Sequence, residues 1–335
     1  MAKLAHIIVF FMASMSAVRA NDVLLGVYYG LFGDNVPPPW KVVQLCVKYN
    51  IRRIRLDEPN LEVFDAFCGA GIDISFGVPN DMLINMKANE SAVVEWFNTY
   101  VEPYIGDFVI NYIIVGNKAI PGLDDCILPV MKSLQNLLNA RYLGQVKLTT
   151  LVGYNAALAV KDPPSSGAFD PNASDNIREI LRFLLREGSP LMVSVCPYTK
   201  YAYSNRAISL NYATFGAKTP VVHDGGLSYD NLFDAMVDPF YAAMDKLGVG
   251  DVDVAVGETG WPTCGNGNIA TPQYASAYNK NFKSHISSGR GTPKRPNVLI
   301  RGFIKSMFNE NKMPEGESQC YGIFNVDSTP LYPLF

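Results

Sequence analysis

The sequence predicts a single (β/α)8 (TIM) barrel of the α/β class, because eight short β-rich runs alternate with helix-like segments along the chain. No repeat, low-complexity tract or interdomain linker divides the chain, and barrels commonly reach this length as one domain. We therefore expect one domain over residues 21–335. The predicted strands lie at about 23–29, 51–57, 72–78, 111–117, 146–152, 191–197, 252–258 and 321–326.

Helix start signals fall between these runs. Prolines 37–39 precede one apolar-periodic segment, Glu90 and Ser91 precede a second, and Ser174 and Asp175 precede a third. Proline in the first turn and acidic or hydroxyl residues at the start are typical of helix N-termini. Each signal predicts a helix that follows a strand.

The widest gap follows the sixth strand, from Lys200 to about Gly250, and predicts a small loop subdomain over the mouth of the barrel. The gap is rich in aromatic residues within a Gly-, Asn- and Ser-rich setting. Such a loop fits a carbohydrate cleft, and aromatic packing within the loop explains it equally well. The aromatic residues of the gap include Tyr201, Tyr203, Tyr212, Phe215 and Tyr229.

The first twenty residues have the form of a secretory signal peptide. Lys3 gives a charged start, an apolar segment runs from Ile7 to Met12, and Ala20 ends a small-residue cleavage site. The apolar segment is too short to span a bilayer. We expect residues 1–20 to be removed and the protein to be secreted, extracellular or in the cell wall, without a membrane partner.

The charge of the chain disfavours nucleic acid as a partner. Removing residues 1–20 takes away Lys3 and Arg19 and no acidic residue, which changes the formal net charge from −3 to about −5. The one basic run, residues 290–296, is short and contains Pro and Gly, which is typical of a solvated loop. Nothing in the sequence indicates an obligate oligomer, so we expect a monomer.

The cysteines and histidines predict neither a metal site nor a disulfide framework. The six cysteines are far apart, without a C-x-x-C pair, and the three histidines are scattered. An even number of cysteines in an exported chain permits disulfides, and Cys46 with Cys68 is the pairing we expect because they fall on consecutive helices. We expect no metal and no organic cofactor.

Two strand ends carry the chemistry. Residues 254–256 form an apolar run that leads to Glu258, so this carboxylate should emerge where a buried strand meets solvent, beside Trp261, whose ring could stack on a sugar. The run at residues 111–117 has the same form but is followed by Lys118. Whether the protein is an enzyme depends on this lysine.

The chain resembles plant glycoside hydrolase family 17, the endo-1,3-β-glucanases, through motifs that follow one another along nearly the whole mature chain. The resemblance implies a retaining hydrolase in which Glu258 is the nucleophile and Glu310 lies near the catalytic pair. Asn117, Trp261 and Tyr28 would belong to the substrate cleft, although a structural ion pair is the alternative role for Glu310. The matching segments are Gly26–Gly30, Arg53–Leu56, Gly77–Asn80, Ile114–Asn117, Gly257–Pro262, Gly291–Pro296 and Met307–Asn311.

The chain departs from the family at the acid/base position, where the family has Gly-Asn-Glu and this sequence has Gly116-Asn117-Lys118. A lysine near Glu258 would remain charged, whereas a general acid works best with a pKa near the operating pH. The lysine would also pair with the nucleophile. Losing general acid–base catalysis typically lowers a rate by about 10²–10⁴-fold.

Other cleft positions differ as well. Asp57-Glu58-Pro59 replaces the family's Tyr-Asp-Pro, and Cys196-Pro197-Tyr198-Thr199 replaces Tyr-Pro-Tyr-Phe. Tyr198 and Tyr201 are then the candidate sugar-stacking residues. The candidate substitute acids are Asp57, Glu58 and Asp124.

Two functional hypotheses follow. The first is a secreted endo-1,3-β-glucan hydrolase, slow or helped by a different acid. The second is a catalytically inactive, lectin-like protein that keeps the groove and binds 1,3-β-glucan. An ammonium of Lys118 that faces Glu258 favours the second, and a carboxyl of a substitute acid within about 6 Å of Glu258 favours the first. Plant defence is one role that the resemblance suggests.

Overall fold

Parallel strands form a closed barrel in the computed structural model, which describes residues 24–205 and 207–335. Each strand pairs in parallel with its neighbours in sequence, and β8 pairs with β1 to close the ring. This confirms the predicted fold class. The strands, labelled β1 to β8 in chain order, are Leu25–Tyr28, Arg53–Arg55, Asp73–Val78, Ile110–Asn117, Lys147–Gly153, Leu191–Ser194, Val254–Thr259 and Arg301–Ile304.

Helices follow the strands, and their buried faces join the strand side chains in one large apolar core. Their N-termini lie where the sequence signals predict. Pro39 is the first residue of one helix, the side chain of Asn89 caps the helix that starts at Glu90, and Ser174 starts a third. The α-helices are Pro39–Lys48, Leu61–Phe67, Leu83–Ala88, Glu90–Tyr100, Asp124–Ala140, Tyr154–Ala157, Ser174–Glu187, Pro197–Ala202, Leu210–Ala213, Leu232–Lys246 and Pro272–Ser287.

A smaller cluster fills the inside of the barrel. It joins residues of β4, β5, β6 and β8, which can meet only through the interior because β8 neighbours none of the other three strands. Gly257 on β7 faces this cluster, since a Cβ atom there would lie 2.6 Å from Leu151 Cδ1. The residue before Glu258 must therefore be glycine for β7 to keep its place in the ring. The cluster comprises Tyr112, Ile114, Leu151, Met192 and Phe303.

The sequence placed the eighth strand wrongly. The strand is Arg301–Ile304, whereas residues 321–326 lie outside the barrel ladder. Phe324, in the predicted range, forms isolated bridges to Phe308 and Pro330. The true strand has only four residues and includes Arg301 and Gly302, so it did not stand out as an apolar run.

The chain after β6 forms short local elements over the barrel mouth. The helices Pro197–Ala202 and Leu210–Ala213 come first, and a hairpin of Val222–Asp224 with Leu227–Tyr229 follows. Tyr212 and Tyr229 are buried there, so these two aromatic residues pack within the segment. A second hairpin, Leu158–Val160 with Ala168–Phe169, follows β5 and was not predicted.

The expected disulfide between Cys46 and Cys68 is wrong, because both cysteines are free. Cys46 is buried in the core, whereas Cys68 lies exposed at the end of the helix Leu61–Phe67. The structure instead joins Cys264 to Cys320, which ties the segment after β7 to the segment after β8. Sequence spacing carried no signal for a pair separated by 56 residues.

The expected signal peptide, residues 1–20, lies outside the described residues. Within residues 24–205 and 207–335, every helix is too short or too polar to cross a bilayer.

Candidate active site

An open cleft of about 810 Å³ lies at the mouth of the barrel, where the carboxyl ends of the strands meet the following loops. Active sites of (β/α)8 barrels occupy this end. The residues lining the cleft that the site's chemistry uses are Lys118, Ser194, Tyr203, Glu258, Lys305 and Tyr321.

Glu258 lies near the end of β7 with only 8 % of its surface exposed. Ser194, the last residue of β6, donates a hydrogen bond from Oγ to Glu258 Oε1 at 2.7 Å. Lys305, which follows β8, places Nζ 4.0 Å from Glu258 Oε2. One carboxylate is thus fixed at the floor of the cleft by groups from the two strands that flank β7.

Lys118 follows β4 immediately and forms an ion pair through Nζ with Glu258 Oε1. Its backbone adopts a left-handed conformation with φ of 54°. Asn80 fixes the preceding residue, because its side chain donates to the carbonyl of Asn117 and accepts from its N–H, both at 2.9 Å. The turn that aims the ammonium at Glu258 is therefore held by two hydrogen bonds.

The cations around Glu258 determine its ionisation. Burial alone would raise the pKa of this carboxyl, but the charges of Lys305, Lys118 and Arg55 outweigh burial and hold the pKa well below its ordinary value. Arg55 is fully buried inside the barrel and donates from Nη1 to the carbonyl of Gly257 at 3.4 Å. Glu258 is consequently ionised, as a nucleophile must be, and neutralised by its neighbours.

Glu310 is buried beside the cleft rather than on its wall. Its Oε1 accepts a hydrogen bond from the N–H of Phe32 at 3.2 Å. A Cβ atom at Gly30 would lie 2.0 Å from the same oxygen, so the carboxylate packs against a position that only glycine can fill. Burial raises the pKa of Glu310, against the lowering effects of the Phe32 N–H and of Lys305.

The expected substitute acids do not line the cleft that contains Glu258. Asp57 accepts from Tyr28 Oη at 2.7 Å and from Arg55 Nη2 at 2.8 Å, which engages both carboxylate oxygens. Tyr28 itself is buried and does not line the cleft. Glu58 is exposed, and Asp124 is held by the N–H of Gly122 and the side chain of Asn176. Desolvation and the carboxylates of Asp81 and Asp57 raise the pKa of Glu58.

The expectation that Trp261 and Tyr198 stack on sugar rings is not met, because both side chains are fully buried. Trp261 donates from Nε1 to the carbonyl of Ile269 at 2.8 Å, and its ring lies 5.1 Å from that of Tyr198 and 5.4 Å from that of Tyr201. These rings stabilise the loops behind the cleft. The sequence pattern showed aromatic residues near Glu258 but not which side of the loop they face.

Tyr203 is the aromatic residue that the cleft offers to a ligand. It is 69 % exposed, lines the cleft and donates from Oη to Glu317 Oε1 at 2.9 Å. Tyr321 also lines the cleft but is largely buried, with Lys305 Nζ 5.2 Å from its ring centroid.

Sequence reasoning missed Ser194, Lys305 and Asn80. Ser194 ends β6, but the predicted strand continued to residue 197, so Ser194 was placed inside the strand rather than at its end. Lys305 follows the true β8, so its position at the mouth was hidden by the misplaced strand. Asn80 belongs to one of the family motifs, but its side chain acts by hydrogen bonding the backbone of Asn117, which a sequence pattern does not show.

The floor of the cleft holds one ionised carboxylate, that of Glu258. Hydrolysis with retention uses two carboxyl groups about 5–5.5 Å apart. Among the described residues that line the cleft, the second carboxylate is Asp162, which pairs with Lys200 at 2.6 Å. The described part of the chain also contains no cluster of three or more His, Cys, Asp or Glu residues that could hold a metal ion.

A (β/α)8 barrel with an ionised carboxylate at a strand end, in an open cleft with an exposed tyrosine, has the architecture of a glycoside hydrolase. The profile of glycosyl hydrolases family 17 matches residues 25–334. The chain belongs to this family.

Known relatives cover nearly the whole chain. A probable glucan endo-1,3-beta-glucosidase of Arabidopsis thaliana is 46 % identical over 92 % of this chain and 87 % of its own. Lichenase-2 of Hordeum vulgare is 38 % identical over 92 % of this chain and 97 % of its own. A beta-1,3-glucanase and allergen of Cryptomeria japonica pollen has a solved structure that superposes with a TM-score of 0.87 at 37 % identity, covering 93 % of this chain and 98 % of its own.

Proposed function

We propose that this protein binds 1,3-β-glucan in the cleft and hydrolyses it slowly, with retention, through Glu258. The observation that carries the proposal is the ion pair of Glu258 with Lys118 at the cleft floor. The carboxylate is ionised and reaches the cleft, as the nucleophile of a retaining hydrolase requires. The glucan substrate is supported by the relatives, two of which are named for action on 1,3-β-glucan.

In the first step, a carboxylate oxygen of Glu258 attacks the anomeric carbon while the bond from that carbon to the leaving glucan oxygen breaks. The leaving oxygen must take a proton. Lys118 is the group at the position that the family resemblance assigns to the acid, and an ammonium is a weaker acid than a carboxyl group by about six pKa units in solution. Departure of a sugar alkoxide is therefore slow.

In the second step, water attacks the anomeric carbon and releases the Glu258 carboxylate. A carboxylate normally removes the proton of this water. A lysine amine that has given its proton to the leaving oxygen regains one from solvent at neutral pH, and the resulting ammonium has no lone pair with which to accept another proton. We infer that both steps are slow and that a glycosyl group, once attached to Glu258, is released slowly.

The experiment compares wild type with Lys118→Glu, which supplies a carboxyl group at the end of β4. Reducing-sugar release from laminarin and binding of laminarin are measured on both proteins. Recovery of general acid–base catalysis should raise kcat by about 10²–10⁴-fold with little change in affinity. Lys118→Gln is the matched control, because it removes the ammonium without adding an acid and should gain far less.

A second function, binding of glucan without turnover, would follow if the ion pair of Lys118 with Glu258 blocks attack altogether. Laminarin binding with no detectable wild-type turnover, and turnover gained in Lys118→Glu, would select this function. Wild-type turnover as fast as that of Lys118→Glu would contradict both accounts. The acid would then have to be sought at Asp57, Glu58 or Asp124.

We further propose that the protein is exported, works outside the cell and is monomeric. The signal-peptide pattern of residues 1–20 supports export. Cleavage after Ala20 and elution as a single chain in size-exclusion chromatography are the expected results.

A further inference from the structure

A second cavity, of about 390 Å³, lies at the base of the barrel, at the opposite end from the cleft. Its lining includes the first residues of three strands, Arg53 of β2, Lys147 of β5 and Arg301 of β8. In (β/α)8 barrels this end is not where the catalytic residues lie. The glucan chemistry described above therefore makes no use of these cations.

Arg53 is a buried cation with incomplete compensation. It is 6 % exposed, and its Nη2 lies 3.8 Å from the carboxylate of Asp73, beyond hydrogen-bond distance. The same Nη2 donates to Asn111 Oδ1 at 3.3 Å, but Nε has no hydrogen-bond partner within residues 24–205 and 207–335. Burial lowers the pKa of Arg53, and the like charge of Arg301 adds to this effect, against Tyr112 and Asp73.

Two further donors lie at the same cavity. Ser189 is 4 % exposed, and neither its Oγ nor Asn111 Nδ2 finds a hydrogen-bond partner in the part of the chain that the structure describes. Buried donors without partners are rare in native proteins because each loses its hydration without compensation. A guanidinium, an amide and a hydroxyl at one cavity together offer donors to a ligand rich in acceptor oxygens.

The other charges at the cavity fit an anion better than a cation. Asp251 and Asp253 line it from exposed positions, where water screens them. Lys147 donates to the carbonyl of Glu187 at 2.9 Å and adds positive charge. Arg53 is therefore the buried charge of the lining, Lys147 and Arg301 are half-buried, and the two acidic residues are solvated. An oxyanion between two guanidinium groups would also relieve their repulsion, with charge-assisted hydrogen bonds.

We propose that the base of the barrel is a binding site for a tetrahedral oxyanion of the phosphate type, held by Arg53, Arg301, Asn111 and Ser189. The site is independent of the glucan cleft. The bound ligand contacts the starts of strands that are not neighbours in the ring. Because the unfolded chain lacks this arrangement, binding of the ligand stabilises the folded state.

The probe is inorganic phosphate, with chloride at the same ionic strength as the reference. Phosphate should raise the Tm of the wild type by about 3 °C or more at saturation, and the phosphorus NMR line of phosphate should broaden when the protein is added. Both effects should persist when the cleft is saturated with laminarin, which separates this site from the lysines at the mouth.

The variants Arg301→Gln and Ser189→Ala test the assigned residues without removing buried Arg53. Arg301→Gln should abolish the shift in Tm, and Ser189→Ala should weaken phosphate binding by about three- to tenfold. Arg290→Gln is the control, because this exposed arginine lies away from the cavity and carries the same charge. No response of the wild type to phosphate, or a full response in both cavity variants, would overturn the proposal.

Discussion

Glu258 and Asp238 are two buried carboxylates whose pKa values move in opposite directions. Glu258 has Lys118 and Lys305 beside it, and its pKa falls well below the ordinary value even though burial opposes this. Asp238 is fully buried, and burial raises its pKa to about 6, although Tyr229 Oη and the N–H of Lys294 donate to it at 2.9 Å. Neutral hydrogen bonds offset burial only in part, whereas cations reverse it.

The charges around Glu258 also determine what the candidate active site can do chemically. The cations that keep Glu258 ionised also neutralise it. In the proposed mechanism, one of them, Lys118, also takes the place of the proton donor. The proposed mechanism requires both an ionised nucleophile and a protonated acid. Only the first is met by the contacts around Glu258.

The largest expected effect is loss of turnover in Glu258→Gln. The amide keeps the shape of the side chain and its contact with Ser194, but it cannot attack the anomeric carbon. Placed in the Lys118→Glu background, it should remove the gained laminarin hydrolysis, a fall of about 10²-fold or more. Laminarin binding is the control for folding, and hydrolysis that survives in the double variant would rule out Glu258 as the nucleophile.

The next effect tests whether neighbouring cations lower the pKa of Glu258, in contrast to Asp238. Lys118→Gln removes one cation from Glu258, so its pKa should rise towards the ordinary value while Lys305 and Arg55 still hold it down. The acid limb of dinitrophenolate release from a dinitrophenyl β-laminaribioside should move to higher pH. An unchanged pH profile would mean that Lys118 does not influence the ionisation of Glu258.

Asp238→Asn should stabilise the protein at neutral pH by about 1–3 kcal/mol, because ionised Asp238 is unfavourable in the folded state. Since its folded pKa is raised from 3.8 to about 6, the stability that the carboxyl contributes is present below pH 3.8 and is lost as pH rises through 6. The Tm advantage of the variant should therefore grow across this window.

Asp175→Asn is the control for Asp238→Asn, because the Asp175 side chain is 93 % exposed. Its Tm difference from wild type should stay small throughout. If Asp238→Asn lowers the Tm at neutral pH, the hydrogen bonds of this carboxylate outweigh its burial, and the contrast with Glu258 is smaller than the structure indicates.

The smallest expected effect concerns glucan affinity. Tyr203 presents an exposed ring to the cleft, so Tyr203→Ala should weaken laminarin binding by about two- to fivefold. Tyr142→Ala is the matched control, because this tyrosine is 93 % exposed and does not line the cleft. Equal affinities of the two variants would exclude Tyr203 from the sugar contacts.

The sequence predicted the barrel and most of its strands because buried parallel strands are continuous apolar runs. It failed for β8, because Arg301 begins the strand and Gly302 interrupts its apolar pattern. Tertiary packing favours the glycine, since a Cβ atom at position 302 would lie 3.0 Å from Phe282 Cζ. Such contacts between distant residues leave no local pattern. The pairing of Cys264 with Cys320 was missed for the same reason.

Within the site, Glu258 and Lys118 could be singled out because each stands at the end of a predicted strand. Their direct contact depends on the left-handed turn at Lys118, which Asn80 supports from another strand end. The burial of Trp261 depends on loop packing that periodicity does not report. Strand-end chemistry is therefore visible in sequence, whereas the facing of loop side chains is not.

The most direct test of the account measures whether Glu258 attacks a substrate whose leaving group needs no acid. Wild-type protein is mixed with the dinitrophenyl β-laminaribioside, and dinitrophenolate is followed with time. We predict a burst of about one equivalent per protein chain, then slow turnover, with a laminaribiosyl group attached to Glu258 by mass spectrometry. Binding of this substrate without a burst and without an adduct on Glu258 would contradict the account.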